Sequence, residues 1–300
     1  MQTFVFGHKN PDTDSIISAI AQAAFLKEMG VAAEACALGA PNPETLFVLD
    51  KFGLPAPEML ELAAGKNVFI TDTNDPNQLP ADIDAANITG IVDHHQLSGG
   101  IKTPGPIYMT MRPFGCTCTI IAQNFVNAKI PLSKELAGAM LCAILSDTLL
   151  FKSPTSTPTD KETAQMLAVV AELDMMVIGM EMLRVKSDIS NETAASLLHR
   201  DLKEFDINGK KFAVAQIELM DSAMAAPFME GLKAEMSALK KSKNLNGVIM
   251  VVTDTMKEGS ELLLETDMDD KIRALFGNTD FIPGLMSRKK QVIPVLMDNL

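Results

Sequence analysis

The sequence predicts an α/β protein of two domains, the first built on a mostly parallel sheet flanked by helices and the second a smaller α/β unit. Through the first half of the chain, short apolar runs alternate with helix-period segments, the pattern of repeated strand and helix units. A length of 300 residues is long for one hydrophobic core, and an apolar fraction of 47% supplies enough for two. A polar stretch at 185–192 (VKSDISNE) then separates this half from a remainder that mixes helices and strands differently. The expected division is residues 1–186, a linker at 187–192, and a second domain at 193–300.

Strands are expected at 3–6, 33–38, 68–71, 89–92 and 107–111, each a short run rich in β-branched or aromatic residues. Between the first two, residues 15–29 carry helical periodicity and Gly30 supplies a C-terminal stop. Helices are further expected at 116–128 and 134–150, and at 161–173 after the N-cap-like TPTD. Beyond the linker, strands at 212–217, 247–252 and 261–265 accompany a helix at 227–241. Neither an internal repeat nor a low-complexity tract occurs.

Composition excludes several classes of function. No run of about 18 uncharged apolar residues is present, and the N-terminus opens into TFVFG without a basic and then apolar leader. The expectation is a soluble cytoplasmic protein. Cys36, Cys116, Cys118 and Cys142 form no CxxC pair and lie in apolar or helix-like sequence, as reduced buried thiols do. A net charge of −12 argues against nucleic acid and anionic membranes as partners, since both demand a basic footprint. An anionic substrate must then be held by metals or by a local basic cluster.

The densest chemistry follows the first strand. GHKNPDTDS places His8, Asp12 and Asp14 within seven residues, at the strand end where open α/β sheets collect ligands. Pro11 stiffens the loop, and two carboxylates so close repel unless a cation neutralises them. The same loop also fits a turn and helix N-cap rich in Asp and Asn. Two further strands end in NVFITD, giving Asp72, and ITGIVDHH, giving Asp93, His94 and His95. Three of the four histidines thus sit at strand ends. Asp147 interrupts the apolar LCAILSDTLLF, where an unpaired buried carboxylate costs several kcal/mol. Its partner is a cation completing the same set, or else a hydroxyl or Lys152.

GHKNPDTDS, FITDTN, VDHH, SDTLLFKSPT and SRKKQ, in that order from Gly7 to Gln291, together resemble the motifs of family II inorganic pyrophosphatases of the DHH phosphoesterase superfamily. The resemblance implies a DHH-type N-terminal domain, a C-terminal domain that closes over the substrate, and an active site in the cleft between them. It implies hydrolysis of pyrophosphate to two phosphates by a metal-bridging hydroxide. His8, Asp12 and Asp72 would bind one Mn²⁺ or Co²⁺, and Asp14, Asp72, His94 and Asp147 the other. Additional Mg²⁺ would arrive with the substrate, and the chain would form a homodimer. Mixed imidazole and carboxylate donors suit Mn²⁺, Co²⁺ or Zn²⁺ better than Mg²⁺. The 20 methionines read as core filler rather than ligands.

Within this reading Asp72 and His95 are the catalytic groups, Asp72 as the bridge and His95 as general acid or electrostatic stabiliser for the leaving phosphate. Asp93 either orients an imidazole or caps its strand end. His95, Lys203, Arg288 and Lys289 are assigned to pyrophosphate, Arg gripping phosphate through paired hydrogen bonds and Lys acting as a point charge. On composition alone, SRKKQ fits a solvated basic turn and Lys203 an ion pair with Glu204. GCTCT, at 115–119, opens a helix whose free N–H groups either orient the crevice or are capped locally. One departure stands out: Thr73 follows Asp72, where the family usually has His, which alters the surroundings that tune the site. The rivals are a short-chain exopolyphosphatase and a DHH-type phosphodiesterase, although the GGGH motif of the latter is absent.

Overall fold

The computed structural model describes residues 2–97 and 99–300, and the chain divides into two compact units, Met1–Val185 and Lys186–Leu300. The first contains β1 (Thr3–Phe6), α1 (Thr13–Glu28), β2 (Ala33–Ala37), α2 (Pro43–Lys51), β3 (Glu58–Met59), β4 (Asn67–Thr71), β5 (Asn87–Asp93) and β6 (Tyr108–Met111). There follow α3 (Thr117–Ala128), α4 (Lys134–Asp147), α5 (Pro158–Ala171) and α6 (Met175–Ser187).

The six strands form one sheet in the order β3-β2-β1-β4-β5-β6, and every pairing is parallel. Because β2 and β3 lie to one side of β1 while β4 lies to the other, the winding reverses between β1 and β4. A crevice opens at the carboxyl ends of strands wherever that happens. Register aligns Phe6 with Ile70 and Thr71 with Val92, so the residues leaving β1, β4 and β5 emerge side by side. Alternation along the strands fills both faces: Val5, Phe69 and Val92 join the core with Ile16, Ile17, Ile120 and Met140, while Phe6, Ile70 and Ile91 pack with Leu79 and Ile83.

Elements beyond those expected are α2, β3 and α6 here, and among the expected helices the departures lie at the ends. α1 begins at Thr13, two residues ahead of the expected start, because the Asp12 side chain accepts from Ser15 N at 2.9 Å as an N-cap. α4 stops at Asp147 instead of residue 150. Leu149, Leu150 and Phe151 all take positive φ (48°, 52° and 67°), a left-handed turn that costs non-glycine residues about 1–2 kcal/mol each. α5 starts at Pro158, behind a capping box in which Thr157 and Asp160 satisfy each other's backbone N–H.

The second unit contains α7 (Ala194–His199), β7 (Leu202–Ile207), β8 (Lys210–Leu219), α8 (Met229–Ser242), β9 (Gly247–Asp254), β10 (Gly259–Thr266), α9 (Asp269–Leu275), β11 (Phe281–Pro283) and α10 (Ile293–Asn299). Its sheet runs β11-β10-β9-β8-β7, with β8 and β9 parallel and the other pairs antiparallel. Asn208 and Gly209, both at positive φ, make the two-residue turn that joins β7 to β8. β9 is buried along its whole length, as a central strand covered on both faces must be.

Asp254, at the end of β9, accepts from Ser222 N (3.1 Å), Met256 N (3.1 Å) and Lys257 N (2.7 Å) and from Lys257 Nζ at 2.9 Å. Burial alone would raise this carboxyl, but the Lys257 and Ser222 contacts outweigh it and hold it below its ordinary value. Its contribution to stability is therefore full above about pH 4 and is lost as pH falls through the lowered value. Asp254→Asn should destabilise the second unit by about 1–2 kcal/mol at pH 7 in urea unfolding. The difference from the parent protein should close below about pH 4.

Candidate metal centre

The loop after β1 is shaped by a close approach. A Cβ on Gly7 would lie 2.1 Å from Ser15 Oγ, and that hydroxyl accepts from His8 N at 3.0 Å. The loop therefore lies against the start of α1, and His8 is fixed relative to Asp12 and Asp14. Asp12 serves two ends. Its Oδ1 caps α1, while its Oδ2 is 3.6 Å from His8 Nε2, so the cap and ligand readings of this residue coexist.

Asp14 is fully buried and accepts from Thr117 N at 2.6 Å and Cys118 N at 3.1 Å. The first amides of α3 are thus satisfied by a carboxylate from α1, where the positive end of a helix stabilises it. Asp72 follows β4 at φ 58°, a backbone shape that Asp tolerates better than most residues, and its N–H still donates to Val92 O at 2.9 Å. Its Oδ2 lies 3.5 Å from His8 Nε2 and its Oδ1 3.3 Å from His94 Nε2. Thr117 Oγ1 donates to Oδ1 at 3.0 Å.

Both of these imidazoles are held from behind. His8 Nδ1 is 2.8 Å from Lys9 O and His94 Nδ1 is 3.0 Å from Phe114 O. A carbonyl only accepts, so each Nδ1 carries the hydrogen and each Nε2 faces the carboxylates. Asp147 Oδ2 is 4.0 Å from His94 Nε2, and Asp147 also meets Asp14. His95 stands edge-on to the His94 ring, with Nδ1 3.8 Å from Asp72 Oδ1. Its Nδ1 is 2.9 Å from Asp93 Oδ1, while Asp93 also accepts from His94 N, His95 N and Asn74 Nδ2.

The donor atoms of His8, Asp12 and Asp72 lie within 4.8 Å of one another, as do those of Asp14, His94 and Asp147. The chemistry of the set fits two cations. Neighbouring ligands of one ion bound at about 2.1 Å stand roughly 3.0–3.4 Å apart. The 3.3–3.6 Å separations among His8, Asp12, Asp72 and His94 are close to that and longer than a well-formed hydrogen bond. Without cations the acids are frustrated. Burial and then Asp72 push Asp14 up to about 6, and burial followed by Asp14 pushes Asp147 well above its ordinary value. Burial depresses both imidazoles, yet Asp12 and Asp72 lift His8 to about 11 and Asp72 lifts His94 to about 10. Burial also works to raise Asp72, but His8 and His94 hold it far below the carboxylate range. Cations would replace those protons.

Three further residues hold this centre and were not singled out in the sequence. Thr117 bonds Asp72 through its hydroxyl. Buried Glu44 accepts from Thr13 Oγ1 at 3.2 Å and Ser146 Oγ at 2.9 Å, tying the segment between Asp12 and Asp14 to the residue before Asp147. Asp160 reaches beyond its own cap to accept from Gly115 N (2.9 Å) and Thr119 Oγ1 (2.6 Å). Asp160 left a sequence signal in the TPTD start of α5, and Thr117 lies in the GCTCT motif, whereas Glu44 left none. Cys116 and Cys118 lie beside Asp14, but burial raises both thiols well above their ordinary value, and all four cysteines are free and buried.

The expected basic groups belong to the second unit. Lys203, on β7, is largely exposed and lies 3.7 Å from Asp201, not against Glu204, which pairs with Lys243. Lys289 is exposed, whereas Arg288 is buried and bonded within its own unit.

Comparison with known proteins gives the family. The N-terminal domain of the DHH family matches residues 2–144, and the DHHA2 domain matches residues 180–299. A probable manganese-dependent inorganic pyrophosphatase of Bacillus pumilus is 39% identical over 100% of this chain and 99% of its own. The chain belongs to family II of the inorganic pyrophosphatases, within the DHH group. The manganese-dependent inorganic pyrophosphatase of Methanothrix thermoacetophila is 42% identical, over 98% of this chain and 96% of its own. The crystal structure of a putative family II inorganic pyrophosphatase of Methanococcus jannaschii superposes with a TM-score of 0.78 at 39% identity, covering 99% of both chains. In this family member, Thr73 Oγ1 accepts from Asp75 N at 3.2 Å, and Asn74 is the residue that reaches Asp93.

Proposed function

We propose that the chain hydrolyses inorganic pyrophosphate to two phosphates with the help of two divalent cations. The observation that carries this is Asp72, whose two oxygens face the Nε2 atoms of two different histidines at 3.5 and 3.3 Å. A carboxylate so placed would be shared by the two ligand sets. His8, Asp12 and Asp72 would hold one ion, and Asp14, Asp72, His94 and Asp147 the second. Manganese is the ion in the names of the relatives, cobalt is the alternative for the same donors, and additional magnesium would accompany the substrate. Bound there, the cations would supply Lewis-acid stabilisation of the developing charge and activation of the attacking water.

The chain's own groups do the rest. Asp93 fixes the His95 ring through Nδ1, so His95 presents Nε2 to the leaving phosphate, where a proton can be exchanged. Lys203, Arg288 and Lys289 are assigned to the phosphoryl oxygens, which are the atoms that gather charge as the bond breaks. Residues 1–186 act as the metal-binding catalytic domain, 187–192 as linker and 193–300 as the substrate-binding domain. Family membership supports a cytoplasmic homodimer.

The test is phosphate release from pyrophosphate by metal-free protein supplied separately with Mn²⁺, Co²⁺, Zn²⁺ and Mg²⁺. Turnover should appear with Mn²⁺ or Co²⁺. Preference for tripolyphosphate or for a dinucleotide over pyrophosphate at equal metal would instead make the chain an exopolyphosphatase or a phosphodiesterase. Arg288→Ala should raise KM for pyrophosphate about 10-fold or more, with a smaller change in kcat. An unchanged KM in steady-state assays would remove Arg288 from the substrate.

A further inference from the structure

We infer that Asp201 is a built-in competitor of the substrate, a carboxylate that occupies the cations of the second unit and so sets its affinity for phosphate. The inference rests on the assignment of Lys203 and Arg288 to pyrophosphate.

Arg288 is held by neutral oxygens as well as by a carboxylate. Its backbone N–H donates to Gln216 Oε1 at 2.9 Å, and Gln216 is itself held by Thr253 Oγ1 (2.9 Å) and Met286 O (3.0 Å). Its Nη1 donates to two carbonyls, Asp201 O and Val214 O. The guanidinium is therefore positioned by backbone oxygens from two places in the chain. What remains is Nη2, which faces both carboxylate oxygens of Asp201 at 3.2 and 3.0 Å, and Nε, a buried donor with no partner among the described residues.

The same carboxylate reaches a second cation. Lys203 Nζ lies 3.7 Å from Asp201 Oδ1, with about two-thirds of its side chain exposed and free to swing. One negative charge thus partly neutralises two of the three cations assigned to the substrate. Guanidinium and ammonium groups take phosphate through the same N–H donors that take a carboxylate. An arriving phosphate must displace Asp201 from Nη2 and from Lys203, or bind beside it against repulsion. A pyrophosphatase gains from this, because its products are the same kind of anion as its substrate and must leave. Asp201, about half exposed, can give way while the carbonyls keep Arg288 in place.

The test uses the full-length chain with Mn²⁺, inorganic phosphate as the titrant and calorimetry as the readout, beside steady-state kinetics on pyrophosphate. Asp201→Asn keeps the size and an oxygen acceptor but removes the charge. It should tighten phosphate binding about 3- to 10-fold at low ionic strength, lower KM to a similar degree, and leave kcat no higher. The gain should shrink in 0.5 M salt. Asp201→Glu retains the charge and should stay within about twofold of the parent protein, a contrast that a merely structural role would not produce. Phosphate affinity that is unchanged or weaker in folded Asp201→Asn overturns the inference. Lys203→Ala and Arg288→Ala separate the two readings. If neither weakens phosphate binding, the assignment of those cations falls and the inference with it; if both do while Asp201→Asn changes nothing, only the inference falls.

Discussion

Asp72→Ala is expected to lower kcat/KM for pyrophosphate by about 10³-fold or more and to reduce the number of tightly bound Mn²⁺ ions from two to at most one. Asp72 is the one side chain among the described residues that meets both His8 and His94, and it is almost fully buried, so water has little room to replace it. Its removal opens both ligand sets together. Alanine would also leave the Thr117 hydroxyl without its acceptor and would sit poorly at φ 58°. Asp72→Asn separates these effects, since Asn tolerates that backbone and still accepts from Thr117. Equal loss of Mn²⁺ in both variants, counted by calorimetry on metal-free protein, assigns the defect to the missing carboxylate. Full activity in either variant would exclude the shared role.

The first sheet is legible because β1, β4 and β5 are short, largely apolar runs with polar groups at or just beyond their ends. Phe6, Thr71 and Asp93 close β1, β4 and β5, and the chemistry begins within two residues of each end. A pattern of that kind survives in one dimension. The turn at 149–151 does not, since Leu-Leu-Phe carries none of the Gly or Asn that usually marks left-handed backbone. In the second unit, the Asn-Gly turn at 208–209 is the hairpin signal for β7, but the apolar pattern there is dominated by VAQIEL and GVIMVV, and β7 itself alternates too weakly to stand out. Donor residues were nameable one by one from their types. Their supports were not, because Glu44 and Asp160 act over distances in sequence of 102 and 45 residues respectively, and nothing local in PNPE or TPTD says where those carboxylates reach.

Such reach makes Asp160→Ala the second large effect. Asp160 is fully buried, and its two oxygens accept from Gly115 N, Thr119 Oγ1, Thr157 N and Thr157 Oγ1 at 2.6–2.9 Å. Removing them strands two backbone donors and two hydroxyls inside the protein, and stability should fall by about 3–5 kcal/mol. The damage should also travel. Gly115 lies two and three residues before Thr117 and Cys118, whose amides hold Asp14, and it is packed so closely that a Cβ there would lie 2.7 Å from Thr148 Cγ2. A shifted Gly115 carries the start of α3 with it, loosening the grip on Asp14 and the Thr117 bond to Asp72. In variant protein that remains folded, confirmed by circular dichroism at low temperature, Mn²⁺ affinity should drop about 10- to 100-fold, the range seen when groups that orient metal ligands are lost. Lower stability with Mn²⁺ affinity unchanged would confine Asp160 to capping α5. Loss of both would make the Thr157–Asp160 box the anchor from which the metal-holding end of α3 is positioned.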